Sequence, residues 1–120
     1  MSRGPLDELF GALADPTRRF ILQRLIHQGP ATATHLAGEC PTSRDAPLTR
    51  QAIVKHLQIL VDAGLARPVR VGREVRYTAT PAPLATVVSW LTETGPRWDR
   101  RMEKFRGRLD TIDDQGTSTA

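Results

Sequence analysis

The chain has 120 residues, a length that holds one domain and leaves no room for a second core. Its 39% hydrophobic and 25% charged residues are those of an ordinary soluble globular protein, and no apolar run approaches the roughly 20 residues that span a bilayer. Met1–Leu6 has no apolar signal region, the single Cys40 cannot close an internal disulfide, and the formal charge is +4, so a basic cytoplasmic protein is expected.

In chain order, Leu6, Leu9, Phe10 and Leu13 recur at i, i+3, i+4 and i+7, which predicts a short helix over 5–13. Asp15-Pro16 starts a second helix, with Asp as N-cap and Pro in the first position; its apolar members are Phe20, Ile21, Leu22, Leu25 and Ile26, and Gln28-Gly29-Pro30 stops it. Thr32 or Thr34 caps a short third helix ending near Cys40. Residues 41–47, with two prolines and Arg44, form a loop, and Thr49 caps a fourth helix that closes near Gly64. Two β-prone runs, 67–71 and 75–79, flank Gly72-Arg73-Glu74 and predict a hairpin with a basic tip.

A last helix begins near Pro81–Pro83. Leu84, Val88, Leu91, Gly95, Trp98, Met102, Phe105, Leu109 and Ile112 follow alternating steps of four and three, a heptad stripe over about four heptads. Such a narrow stripe calls for a partner helix, which predicts a homodimer with Leu84, Val88, Leu91, Trp98, Met102, Phe105 and Leu109 in its interface; packing on the chain's own first helix is the alternative. Gly95-Pro96 is expected to interrupt and kink this helix. The domain is expected over 5–112, with its dimerisation helix over 81–112 and flexible tails at 1–4 and 113–120. The fold class is mainly α with a small β-hairpin (α+β), in the order α-α-α-α-β-β-α: a winged helix-turn-helix.

The charge is unevenly placed. Residues 1–43 carry four Lys/Arg and four acids, 78–120 six and six, and 44–77 seven against three, so the whole excess of +4 lies in one stretch. That is the footprint of a phosphate-facing surface, or else of a solvated face. At about 100° per residue, Arg50, Gln51, Lys55, Gln58 and Asp62 share one side of the fourth helix with Val54, while Ala52, Ile53, Leu57, Ile59 and Leu60 share the other. Arg and Lys suit guanine in the major groove and Gln suits adenine, and the Thr49 hydroxyl suits a phosphate. Arg70, Arg73 and Arg76 on the hairpin suit phosphate forks or a narrow minor groove. The expected partner is double-stranded DNA. His56, inside the apolar arc, reads as a hydrogen-bonded structural residue.

Two segments, LADPTRRFILQRL and LTRQAIVKHLQILVDAGLARPVRVGREVRYTATPAPL, resemble the ArsR-type winged-helix regulators. The tail SWLTETGPRWDRRMEKF is similar to the last helix of a subgroup that does not sense metals. The resemblance implies a homodimer on a pseudo-palindromic operator, mostly repressing, with Arg18 and Arg19 structural. The chain departs from the family in its longer 41–47 loop and in Val54, where relatives carry Ser. Thiolate sensing needs paired cysteines, and no His or Cys follows His56. His35, Glu39 and Cys40 are the one grouping near a metal pattern, and Cys40 alone is an alternative thiol switch. No metal or cofactor is expected, and no nucleophile–base pair or phosphate loop points to an enzyme. A winged-helix protein–protein module is the competing reading; the basic stretch 44–77 is the feature it does not need.

Overall fold

A computed structural model describes the backbone of residues 4–40 and 48–117, with side chains as far as Arg108. The 41–47 loop with Arg44, and the side chains of Leu109 and Ile112, lie outside the described residues. The chain divides into two units, one ending at Val87 and one starting at Val88.

The first unit contains α1 (Pro5–Leu13), α2 (Pro16–Gln28), β1 (Ala31–Thr32), α3 (Ala33–Glu39), α4 (Arg50–Asp62), β2 (Ala66–Val71) and β3 (Glu74–Ala79), and it takes in the start of α5 (Leu84–Thr117). The caps follow from the sequence. Asp15 Oδ2 accepts the Arg18 amide at 3.0 Å, Thr32 Oγ1 accepts the His35 amide at 3.1 Å, and Thr49 Oγ1 accepts the Ala52 amide at 3.1 Å. Helix α4 ends in a Schellman motif. Gly64, at φ +81°, donates to the Val61 carbonyl, and Leu65 donates to that of Leu60. The turn returns Leu65 to the core beside Leu60.

Ile21, Leu36, Ile53, Leu57, Leu60 and Leu65 form the fully buried centre of that core, joined by Leu9, Leu22, Leu25 and Val87. Helices α1 to α4, the start of α5 and the base of the hairpin therefore share one apolar cluster, which holds α3 and α4 as a unit. Two sequence expectations change here. Ile59, assigned to the buried arc, is 42% exposed and lines a shallow groove with Glu8, Gly11, Arg18 and Asp62. Gly72 and Arg73 alone make the hairpin turn, because Glu74 is already paired with Val71. That register places Val69 opposite Arg76 and Arg70 opposite Val75, so Val69 and Val71 of β2 fall on one face of the wing and Val75 of β3 on the other.

The hairpin also gains a strand. β1 pairs antiparallel with β3, Ala31 opposite Tyr77 and Thr32 opposite Arg76, giving the order β1-β3-β2.

Helix α5 is continuous from Leu84 to Thr117, through Pro96, which corrects the expected interruption. Proline removes one backbone donor, the one that would meet the Thr92 carbonyl, but one lost bond leaves the flanking turns helical. The helix also passes Ile112, where a flexible tail was expected; no second proline follows Pro96 to stop it. Within the second unit Val88, Leu91, Trp98 and Phe105 are 52–59% exposed and Met102 is half-buried. Leu84 belongs to the first unit and packs partly against its core.

Candidate nucleic-acid interface

Helix α4 presents Thr49, Arg50, Gln51, Lys55, Gln58 and Asp62 to solvent and buries Ile53, Leu57 and Leu60. This is the polar face expected from sequence, now fixed on one side of a fully packed helix. Thr49 accepts the cap bond through one oxygen lone pair, and its hydroxyl hydrogen stays available to a phosphate. Gln58 donates from Nε2 to Asp62 Oδ1 at 2.8 Å, so its amide is oriented before any ligand arrives. Val54 is half-buried against the core, turned partly away from the polar face on which the helical wheel placed it.

The wing's three arginines do not act as one cluster. Arg73 sits in the turn. Arg70 lies on the wing face of Val75 and Tyr77, with Nε 3.4 Å from the Gly72 carbonyl oxygen. Arg76 lies on the opposite face and approaches Glu74 Oε2 at 3.5 Å. What the fold does bring together is a groove of about 640 Å³ between α3, α4 and the wing. It is lined by Thr34 and His35 of α3, Arg50 and Val54 of α4, and Arg73, Glu74, Val75 and Tyr77 of the wing. Arg50 and Arg73 thus face one space from two elements. The sequence offered Thr34 as a helix cap and His35 as part of a weak metal grouping, and placed neither beside the wing. Nothing in local patterning places α3 beside the wing; the β1–β3 pairing does so.

The supporting residues are engaged as structural groups. Arg18 donates to the carbonyls of Ala12 at 2.8 Å and Gly11 at 3.0 Å, and Arg19 donates to that of Leu13 at 2.7 Å. Both satisfy the exposed end of α1. His56 Nδ1 lies 3.5 Å from Arg18 Nη1 and 3.7 Å from Asp15 Oδ2, tying α4 to the start of α2. Glu39 is held by Arg24 at 2.5 Å and by His35 at 2.7 Å. The Arg24 bond, with the charges of Arg24 and His35, holds its carboxyl below the usual value. Cys40 is buried, and burial together with the Glu39 charge pushes its thiol up. The carboxylate of the His35–Glu39–Cys40 grouping is thus already committed, and among the described residues no three His, Cys, Asp or Glu side chains could hold a metal ion. Among them too, no helix is long and apolar enough to cross a membrane.

Two helices of a helix-turn-helix joined to a β-wing, with a polar helix face beside a cationic groove, define a winged helix-turn-helix DNA-binding protein. The helix-turn-helix domain family matches residues 13–69. The HTH-type transcriptional regulator Rv2034 of Mycobacterium tuberculosis is 34% identical over 113 residues, 94% of each chain. The ArsR-like transcriptional regulator from Rhodococcus sp. RHA1 superposes with a TM-score of 0.69 at 38% identity, over 89% of this chain and 92% of that one. The crystal structure of another ArsR family transcriptional regulator gives 0.67 at 34% identity, over 82% and 97%. The chain belongs to the ArsR family of helix-turn-helix transcriptional regulators. Its relatives are regulators of transcription, not enzymes.

Proposed function

We propose that the chain represses transcription by binding a pseudo-palindromic operator as a homodimer. Each copy lays the Thr49–Gln58 face of α4 in a major groove, the two grooves about 34 Å apart. Arg50, Gln51, Lys55 and Gln58 meet base edges and neighbouring phosphates; Arg70, Arg73 and Arg76 follow the backbone. The observation that carries this reading is the groove in which Arg50 of α4 and Arg73 of the wing face the same space. A backbone strand entering it meets a guanidinium on either side.

The second copy is joined through α5 by Val88, Leu91, Trp98, Met102 and Phe105, continued in sequence by Leu109. Its support is the exposure of this apolar row, large for residues of that kind. Leu84 contributes to the first unit's core. The protein binds its operator without a metal, and repression follows from occupancy of promoter DNA.

Footprinting of the chain's own promoter tests the assignment. Arg50→Ala and Gln51→Ala are each expected to cost about 1–3 kcal/mol of operator affinity and to relax specificity at the base they meet. Footprints as tight as the parent's would remove α4 as the reading helix. A reporter behind the same promoter should rise when either variant replaces the parent; a fall would make the protein an activator.

A further inference from the structure

Asp62 is an acid where electrostatics favours none. It is the last residue of α4, the end at which a helix dipole is negative, and it stands exposed on the face that carries Arg50, Gln51, Lys55 and Gln58. Among the described residues no ion pair engages it. Its hydrogen-bond partner is a neutral amide: Gln58 Nε2 donates to Asp62 Oδ1 at 2.8 Å, one turn away. A glutamine amide has two ends of nearly equal size and opposite chemistry. Left free, it turns over and offers either its carbonyl or its amino group. A carboxylate oxygen only accepts, so the end that meets Asp62 is the amino end. The carbonyl oxygen, Oε1, is thereby turned away from Asp62, and one hydrogen of Nε2 stays unspent.

We propose that Asp62 is a positioning residue for base selection: by holding the amino end of Gln58 it fixes the amide in the orientation that accepts from adenine N6, and so makes Gln58 choose adenine over guanine. This rests on the reading of α4 as the helix in the major groove. Adenine and guanine share the N7 acceptor and differ at C6, where adenine carries an amino donor and guanine a carbonyl acceptor. The pinned amide meets adenine with Oε1 toward N6 and its unspent Nε2 hydrogen toward N7. Against guanine, Oε1 faces O6 and two acceptors oppose each other. A free amide escapes that clash by turning its amino group to guanine, so Gln58 without Asp62 accepts either purine. In solvent the Gln58–Asp62 bond competes with water and is a minor helix contact, as i, i+4 pairs are. Under a base edge that competition ends, and turning Gln58 over leaves the Asp62 carboxylate without its donor. Asp62 also repels the DNA backbone wherever the protein lands, so it gives up general affinity for selectivity.

The experiment uses the full chain. Duplexes selected from random-sequence DNA by the parent and by Gln58→Ala identify the half-site position that Gln58 reads, as the one whose preference the variant flattens. Fluorescence anisotropy then gives Kd for duplexes with adenine or guanine at that position, and for a random-sequence duplex. The parent should prefer adenine by about tenfold or more. In Asp62→Ala that ratio should fall toward one while the other positions keep their preferences, and the random-sequence duplex should bind more tightly than it does to the parent. Asp62→Asn loses the same charge but keeps an oxygen for Nε2. It should share the tighter random-sequence binding and retain most of the adenine preference. Gln58→Ala combined with Asp62→Ala should flatten the position no further than Gln58→Ala alone. An Asp62→Ala variant that keeps the parent's ratio, one that loses preference equally at every position, or a parent that prefers guanine there, overturns the proposal. If Gln58→Ala flattens one position and Asp62→Ala leaves it sharp, the positioning role alone fails. If Gln58→Ala flattens no position while Arg50→Ala or Gln51→Ala does, the proposal fails and α4 remains the reading helix. If none of the three flattens any position, the reading of α4 fails with it.

Discussion

Truncating Trp98 should dissolve the proposed dimer, and the effect can be sized. Trp98 is 57% exposed. An aromatic side chain buries about 150–250 Å² when fully covered, so roughly 100 Å² of Trp98 is left for a partner to cover. At about 25 cal/mol per Å² this is roughly 2.5 kcal/mol per copy, and twice that in a two-fold dimer where each copy contributes the residue. About 5 kcal/mol corresponds to three to four decades in Kd. Because buried area converts incompletely into affinity, a loss of at least about 100-fold is the threshold we set for Trp98→Ala. An aspartate there adds the cost of burying a charge, so Trp98→Asp and Phe105→Asp should both run as monomers. Sedimentation equilibrium over a wide concentration range reads this directly. Neither side chain belongs to the core of the first unit, so circular dichroism should show its helices intact. A dimer that survives both aspartate variants refutes the assignment of α5 as the interface.

Three further outcomes follow from the geometry. Arg73 faces the groove while Arg76 lies on the other face of the wing near Glu74; Arg73→Gln should therefore lower the salt slope of DNA binding by about 0.9 per half-site, and Arg76→Gln should lower it less. Thr49→Ala removes the cap of the reading helix and should cost about 1 kcal/mol in urea denaturation, with Thr49→Ser restoring most of it. Burial and the Glu39 charge make the folded chain hold the Cys40 proton to higher pH than the unfolded chain. Stability should thus be full at neutral pH and decline as pH rises above the ordinary thiol range of about 8.5, and Cys40→Ala should remove that decline.

The helices were legible because their ends carry chemistry that acts locally. Asp15 and Thr49 cap the helices they were expected to cap, Thr32 is the one of its two candidates that caps α3, and Gly64 takes the left-handed position that ends α4. The wing was legible through Gly72, at φ +63° in its turn. The two-residue β1 was not, since Ala31-Thr32 is too short to show alternation and its partner lies far along the chain. The same distance hid the groove. Arg50 and Arg73 were each identified as basic, but that they face one space, with His35 between α3 and the wing, follows from the packing of three elements. Periodicity also overstated the buried arc of α4 at Ile59, because a helical wheel knows the face of a residue but not where the neighbouring helix ends. At Pro96 the breaker rule overstated a local loss: one missing donor does not end a helix whose other turns are intact.

Thr32 serves two elements at once. Its backbone is the β1 rung opposite Arg76, and its hydroxyl closes the first turn of α3. At this residue the wing is geared directly to α3, with no slack segment between β1 and the helix. A push that tilts the hairpin must either carry the start of α3 with it or break the cap. Anything that gripped the wing, whether a DNA backbone or an effector, would turn the reading head as well, and mutations at position 32 should be felt at both ends of the linkage.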